Sequence, residues 1–176
     1  MDFQTLIKTR RSVRSYDKSK QVSKEDITAC LNCAMLAPSA CNSQPWKFTV
    51  VTGEKAGEIA IATQGMGMNK FTSEVGVFIV VSEGSYNKTA LVGSKIKDQD
   101  YKSVDIGLAT SQLCLCATEL GLSTCILGWF DEKKIKNLIN TKSRIRLVIA
   151  LGYSTKEEVA TNKARKNFQD VVDFID

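Results

Sequence analysis

Arg10, Arg11, Ser12 and Arg14 place three guanidinium groups and a hydroxyl within five residues. Guanidinium forks meet the oxygens of a phosphate two at a time, and charge-assisted hydrogen bonds of this kind contribute about 1.5–3 kcal/mol each. A second basic run, Lys163-Ala164-Arg165-Lys166, stands near the other end of the chain, where Lys163 and Arg165 would close the same anion site if the chain returns to its start. A third stretch, from Ala37 to Trp46, reads Ala-Pro-Ser-Ala-Cys-Asn-Ser-Gln-Pro-Trp and holds both prolines of the chain. Stiffened at each end and polar in the middle, it suits a ligand clamp, although composition alone favours an ordinary helix-to-strand connection.

The chain has no histidine. That removes Ser-His-Asp and Cys-His nucleophile systems, HExxH metal sites and the commonest general base together. No metal site and no acid or base residue is assigned, so an enzyme built from this chain needs a cofactor for its chemistry. Six cysteines, Cys30, Cys33, Cys41, Cys114, Cys116 and Cys125, are expected as reduced thiols in a chain with no secretory h-region. Cys30 and Cys33 form a CxxC, but within a helical pattern among apolar residues and without a second pair or a histidine to complete a zinc set. Cys41, in the polar loop, is the thiol with scope for reactivity.

These groups need a frame. Residues 2–9 read as a short helix leading into the arginines. Ser23 with Asp26 resembles a capping box for a helix whose face is Ile27, Cys30, Leu31, Ala34 and Met35, and Pro38 ends it by Ala37. Strands are expected at Trp46–Thr52, Val75–Val81, Ser123–Gly128 and Arg144–Gly152, the second buried on both faces. Glu54 to about Thr63 reads as a helix, Gly65 to Asn69 as a looser turn, and residues 83–102 as a polar surface segment over a site. Ser103–Leu120 is a helix apolar around most of its circumference, which calls for cover from several sides and points to a dimer interface. Asp131 caps a helix from Glu132 to Asn140, and the tail stays polar from Ser154 to Phe168.

At 176 residues, 43% hydrophobic and 24% charged, the chain is expected to be one soluble, cytoplasmic domain spanning 1–176, with no membrane span. Seven basic side chains against Asp2 and Asp17 within residues 1–24 account for the whole net charge of +5. So local an excess suits a discrete anion site better than a nucleic-acid face, and residues 4–15 hold no aromatic ring on which a base could stack.

Taken in order, the arginine cluster, the 37–46 loop, Asp105-Ile106-Gly107-Leu108-Ala109, Ala117-Thr118-Glu119-Leu120-Gly121-Leu122, Thr124 to Asp131 and the 163–166 run resemble the flavin-dependent nitroreductase family in its shorter form. The resemblance implies an α+β sandwich, a mixed central sheet flanked by helices, and an intertwined homodimer that binds FMN between subunits. It implies an NAD(P)H oxidoreductase in which a hydride from NADH or NADPH reaches a nitroaromatic, quinone or similar small-molecule acceptor by a ping-pong cycle. Arg10, Ser12 and Arg14, with Arg11 beside them, would hold the phosphate and ribityl side together with Lys163 and Arg165. Pro38, Ser39, Ala40, Asn42 and Gln44 would come from the partner subunit, and Asn69 would face the pyrimidine edge. Ile126 would stand with Leu127 and Gly128, whose backbone N–H groups lie near the flavin N5. Ala40 replaces a second serine of many members and Leu127 a glutamate of some. A flavin-binding protein that senses or stores FMN with little turnover is the alternative.

Overall fold

The computed structural model describes residues 1–156 and 163–175; the 157–162 part of the expected polar tail lies outside the described residues. Among these, the order of elements is α1 (Phe3–Thr9), α2 (Lys24–Met35), β1 (Trp46–Val51), α3 (Glu54–Thr63), β2 (Val77–Glu83), α4 (Lys88–Lys97), α5 (Tyr101–Glu119), β3 (Ser123–Leu127), α6 (Glu132–Leu138) and β4 (Ile145–Gly152). Five helix starts among the described residues are set by side chains that accept a hydrogen bond from an otherwise unpaired backbone N–H: Asp2 from Thr5, Ser23 from Asp26, Asn87 from Thr89, Asp100 from Ser103 and Asp131 from Lys134.

The sheet runs β1-β2-β4-β3, and each of its pairings is antiparallel. The four strands thus form an antiparallel sheet rather than a mixed one, and an isolated parallel bridge from Ser12 to Thr124 lies outside them at the β3 edge. Strand side chains alternate between two cores. Phe78, Val80, Val148 and Ala150 pack with Ile59, Ala60 and Ile135 on one side. Val77, Ile79, Val81, Ile149 and Leu151 pack with Ile27, Cys30, Ile106 and Leu113 of α2 and α5 on the other. The cysteines are free thiols; Cys30 is buried in the core between α2 and α5, where burial pushes it up to about 11, and Cys33 is half-buried. Among the described residues no helix is long and apolar enough to cross a membrane.

The 83–102 segment differs from the sequence expectation, because it carries helix α4, started by Asn87 accepting from the Thr89 N–H at 2.8 Å. Gly93 and the surrounding Lys, Ser and Thr hid the helix: they weaken the apolar periodicity that reports one. Helix α5 also differs from a fully covered rod. Ile106, Ala109, Leu113 and Ala117 are buried, whereas Val104 and Leu108 remain 49% and 42% exposed.

Near the start of β4 the register shifts, with Val81 opposite Leu147 and Ser82 opposite Ile145, so Arg146 is the extra residue of a bulge. Its Nε donates to Glu83 Oε1 at 2.7 Å, and Lys102 Nζ donates to Glu83 Oε2 at 3.0 Å, tying β2, β4 and α5. Burial alone would raise the Glu83 carboxyl; the bonds and charges of Lys102 and Arg146 outweigh it and hold the group below its ordinary 4.5. A depressed carboxyl stabilises the fold above its unfolded value, and that contribution is lost as pH falls through the folded one. Glu83→Gln is therefore expected to lose about 1–3 kcal/mol near neutral pH. In urea melts the gap from the parent chain should close on acidification below the ordinary carboxylate range; a gap that stays constant with pH would refute this role.

Candidate functional site

Helix α1 ends where Arg10 leaves helical geometry, its N–H still bonded to the Leu6 carbonyl at 2.9 Å. The chain then runs along the free edge of β3, with the Val13 N–H donating to the Thr124 carbonyl at 2.9 Å. Val13 is buried in the core, so the alternation of an extended segment turns Ser12 and Arg14 outward, and both are exposed. One apolar anchor thus aims its polar neighbours.

Lys163 arrives from the far end of the chain and donates from Nζ to the Ile7 carbonyl at 3.1 Å and to the Arg10 carbonyl. Burial lowers its pKa most, followed by the charges of Arg10, Arg165 and Arg11. Four cations of two distant segments therefore sense one another, an arrangement that favours a multivalent anion between them. Two of the three Lys163 donors are committed to backbone carbonyls, so Lys163 staples the ends of the chain as well as adding charge. The cluster also lies within electrostatic reach of α5 and β3: the buried thiols of Cys114 and Cys125, both raised by burial, are pulled down in part by Arg10 and Arg14 respectively.

A second group gathers at the other end of β3. The Asn69 amide donates to the Thr63 carbonyl at 3.1 Å and the Trp129 carbonyl at 3.3 Å, and Trp129 Nε1 donates to the Gly65 carbonyl at 2.9 Å. These bonds clasp the 65–69 turn, in which Met66 and Asn69 are left-handed, onto the chain beyond β3. With its amide hydrogens committed, Asn69 can offer a ligand its Oδ1, an acceptor. Leu127 is buried in the core and Ile126 is exposed on the opposite face. Thr124 and Gly128 are four residues apart on an extended chain, about 13 Å. The fold thus sets Arg10, Arg11, Ser12, Arg14, Lys163 and Arg165 at one end of an edge strand and Asn69, Ile126, Leu127 and Gly128 at the other.

The proline-bounded loop lies elsewhere. It forms a 3₁₀ turn at Ala40–Asn42, with Cys41, Asn42 and Gln44 at φ 50, 49 and 47°. Left-handed geometry costs a non-glycine residue about 1–2 kcal/mol, so the loop needs restraint from its surroundings. Ser39 Oγ accepts from the Gln44 N–H at 2.9 Å, Ser43 Oγ donates to the Ala40 carbonyl at 2.5 Å, and Gln44 Nε2 donates to Asn42 Oδ1 at 3.2 Å. The Ala40 N–H donates to both carboxylate oxygens of Asp105 at 3.2 Å. Pro45 is buried, whereas Asn42 and Gln44 are exposed. Asp105 and Cys114 are nine residues apart on α5, about 13 Å along its axis, so this loop and the arginines occupy different stretches of one helix.

Two contributors escaped sequence reasoning. Asp105 reads there as a polar interruption of an apolar helix, although the lack of a partner at helical spacing other than Lys102 was a usable signal. Trp129 carries no signal of its own, because its bond to Gly65 joins turns 64 residues apart.

A model of the Nitroreductase family matches residues 7–153. The oxygen-insensitive NADPH nitroreductase of Helicobacter acinonychis is 27% identical over 192 residues, covering 92% of this chain and 90% of its own length. A nitroreductase family protein of Streptococcus pneumoniae superposes with a TM-score of 0.82 at 25% identity, over 99% of this chain and 100% of that one. An FMN-dependent nitroreductase of Clostridium difficile superposes at 0.79 with 26% identity over 99% of each.

Proposed function

This chain belongs to the nitroreductase family, and from that premise we propose that it is an FMN-dependent NAD(P)H oxidoreductase. The observation that carries the reading is the meeting of Lys163 with Arg10 across the length of the chain, beside Arg11 and Arg165. A cation cluster built from both ends, at the edge of the strand that leads to Gly128, fits the phosphate of a mononucleotide. The donor set fits the rest of FMN as well. Ser12 adds a hydroxyl on the phosphate side, Asn69 an acceptor suited to a ring N–H, and Ile126, Leu127 and Gly128 a backbone edge.

Bound FMN would supply the redox chemistry, passing a hydride from NADH or NADPH to a nitroaromatic, quinone or similar acceptor in a ping-pong cycle. The chain's own task is to bind, orient and polarise. The guanidinium groups would hold the phosphate, and the span of β3 from Thr124 to Gly128 would set the ring end against the backbone edge. No proton transfer is assigned to a side chain.

A homodimer completes the site. Val104 and Leu108 form an exposed apolar ridge on α5 with Gly107 and Ser111 open beside them, and Phe168, Val171, Phe174 and Ile175 expose a second apolar stretch in the tail. A surface of this kind calls for burial, and a second copy offers the matching ridge. Pairing across α5 would bring Pro38, Ser39, Ala40, Asn42 and Gln44 of one subunit to the cation cluster of the other, which the separation along α5 precludes within one chain. The assembly is expected to be soluble and cytoplasmic.

Anaerobic addition of NADH or NADPH to the purified protein should bleach flavin bands in the visible spectrum. Bands that persist would favour a flavin-binding role, and a colourless protein that cannot be reconstituted with FMN would overturn the reading. Arg165→Ala should lower FMN affinity roughly tenfold, the weight of one charge-assisted bond; unchanged affinity in an FMN titration would exclude the two-ended phosphate site. Light scattering should give twice the chain mass of 19.4 kDa, and a stable monomer would remove the shared-site geometry.

A further inference from the structure

Asp105 is a carboxylate 3% exposed, on the second turn of α5, among the buried Ile106, Ala109 and Thr110. Placing a charged group there is costly, and an alanine or valine would fit an apolar helix face better, so the group has to be explained by what it holds. Its hydrogen bonds run to the Ala40 N–H alone among the described residues, through both oxygens. Within residues 39–44 the remaining hydrogen bonds close the loop on itself: Asn42 N–H to the Ser39 carbonyl, Ser43 N–H to the Ala40 carbonyl, and the bonds of Ser39, Ser43 and Gln44 side chains. None of these attaches the loop to a regular element. Ala40 opens the 3₁₀ turn, so its N–H is one that no helix carbonyl can satisfy.

We propose that Asp105 is the positioning residue of this loop, the anchor through which α5 holds residues 39–44 in the left-handed shape that presents Asn42 and Gln44 to FMN. The inference rests on the FMN reading for what the loop is held for, but the anchor itself is a property of the chain without ligand. Because α5 also carries the exposed ridge proposed as the dimer contact, the same helix fixes the loop and the surface across which it is delivered. Tyr86 and Cys41 lie near enough for the Asp105 charge to be felt at the Tyr86 hydroxyl, whose oxygen is buried without a hydrogen-bond partner. The anchor therefore sits at the meeting of the loop with the chain leading into α4.

The test uses Asp105→Ala and Asp105→Asn in the full-length protein. The Ala40 N–H, whose acceptor is the Asp105 carboxylate, serves as the reporter, with backbone hydrogen exchange followed peptide by peptide by mass spectrometry in the FMN-free protein. Asp105→Ala is expected to speed exchange in the 39–44 peptide roughly tenfold, the effect of losing one charge-assisted bond, while the amides of the β2–β4 ladder stay protected. Asp105→Asn, which keeps an oxygen acceptor for the Ala40 N–H, is expected to recover most of the protection. With FMN added, the alanine variant should bind riboflavin and FMN roughly tenfold more weakly and alter the visible circular dichroism of the bound flavin, since loop contacts to ring and ribityl are lost while the phosphate grip remains. Equal exchange of the 39–44 peptide in parent and alanine variant would overturn the anchor, as would faster exchange of β2 and β4 together with it, which marks general destabilisation. Failure of the parent protein to bind FMN would sink the cofactor reading instead, leaving the exchange measurement to judge the anchor.

Discussion

The Glu83 carboxylate, shared between Lys102 and Arg146, sets the register of a sheet that has no polar face to set it. In a half-solvated sheet a one-residue slip exposes the apolar set, which makes register easy to specify. Here β2 and β4 are apolar on both faces, with Phe78 and Val80 toward one core and Val77, Ile79 and Val81 toward the other. Alternation by itself therefore discriminates poorly between registers. The bulge at Arg146 and its bond to Glu83 supply the missing discrimination, because a slip would leave half-buried charges without partners. Once β4 is fixed against β2, the pairing of Leu127 with Val148 and of Thr124 with Leu151 fixes β3. Its outer edge then receives Ser12 and, through Val13, orients the basic cluster.

Helix α5 joins the two halves of the candidate site. Its buried face packs on the sheet with α2, its second turn holds the proline-bounded loop, and Cys114 further along lies within the field of Arg10. The exposed ridge of Val104 and Leu108 flanks the turn that holds the loop. A rigid helix that carries both half-sites about 13 Å apart cannot bring them together by bending, which is the physical ground for the proposed homodimer. The Asn69 and Trp129 clasp is a separate device of the same kind, in which backbone carbonyls of one turn are met by side chains of another.

Much of the fold is legible in the chain because its local signals agree with its tertiary ones. Four strands fall where β-branched runs stop at Gly or at polar residues, and α2, α3 and α6 begin at the capping or turn residues that precede them. Helix α4 was illegible, since Gly93 and a mixed polar face erase its period. The candidate site divides similarly. Arg10, Arg11, Arg14 and the 163–166 run stand out by charge, whereas the role of Lys163 as a staple on the Ile7 and Arg10 carbonyls has no trace in composition. Backbone acceptors are the same at every residue, so only folding reveals which of them a lysine meets.

By itself the sequence determined the class of chemistry and the list of parts: no histidine for acid-base work, a local basic excess for an anion, a stiff polar loop, and apolar runs enough for a sheet covered on both faces. These are properties of residue type and of spacing within one element, and both are read without knowing what lies across space. Tertiary structure alone decided that Asp105 turns inward to the Ala40 N–H, that Arg146 is bulged toward Glu83, and that the loop and the arginines part company along α5. Each is a contact between segments far apart in the chain, where the desolvation of a charge or of a backbone N–H must be offset by one particular partner. Which partner arrives depends on packing and register, neither of which a local pattern encodes.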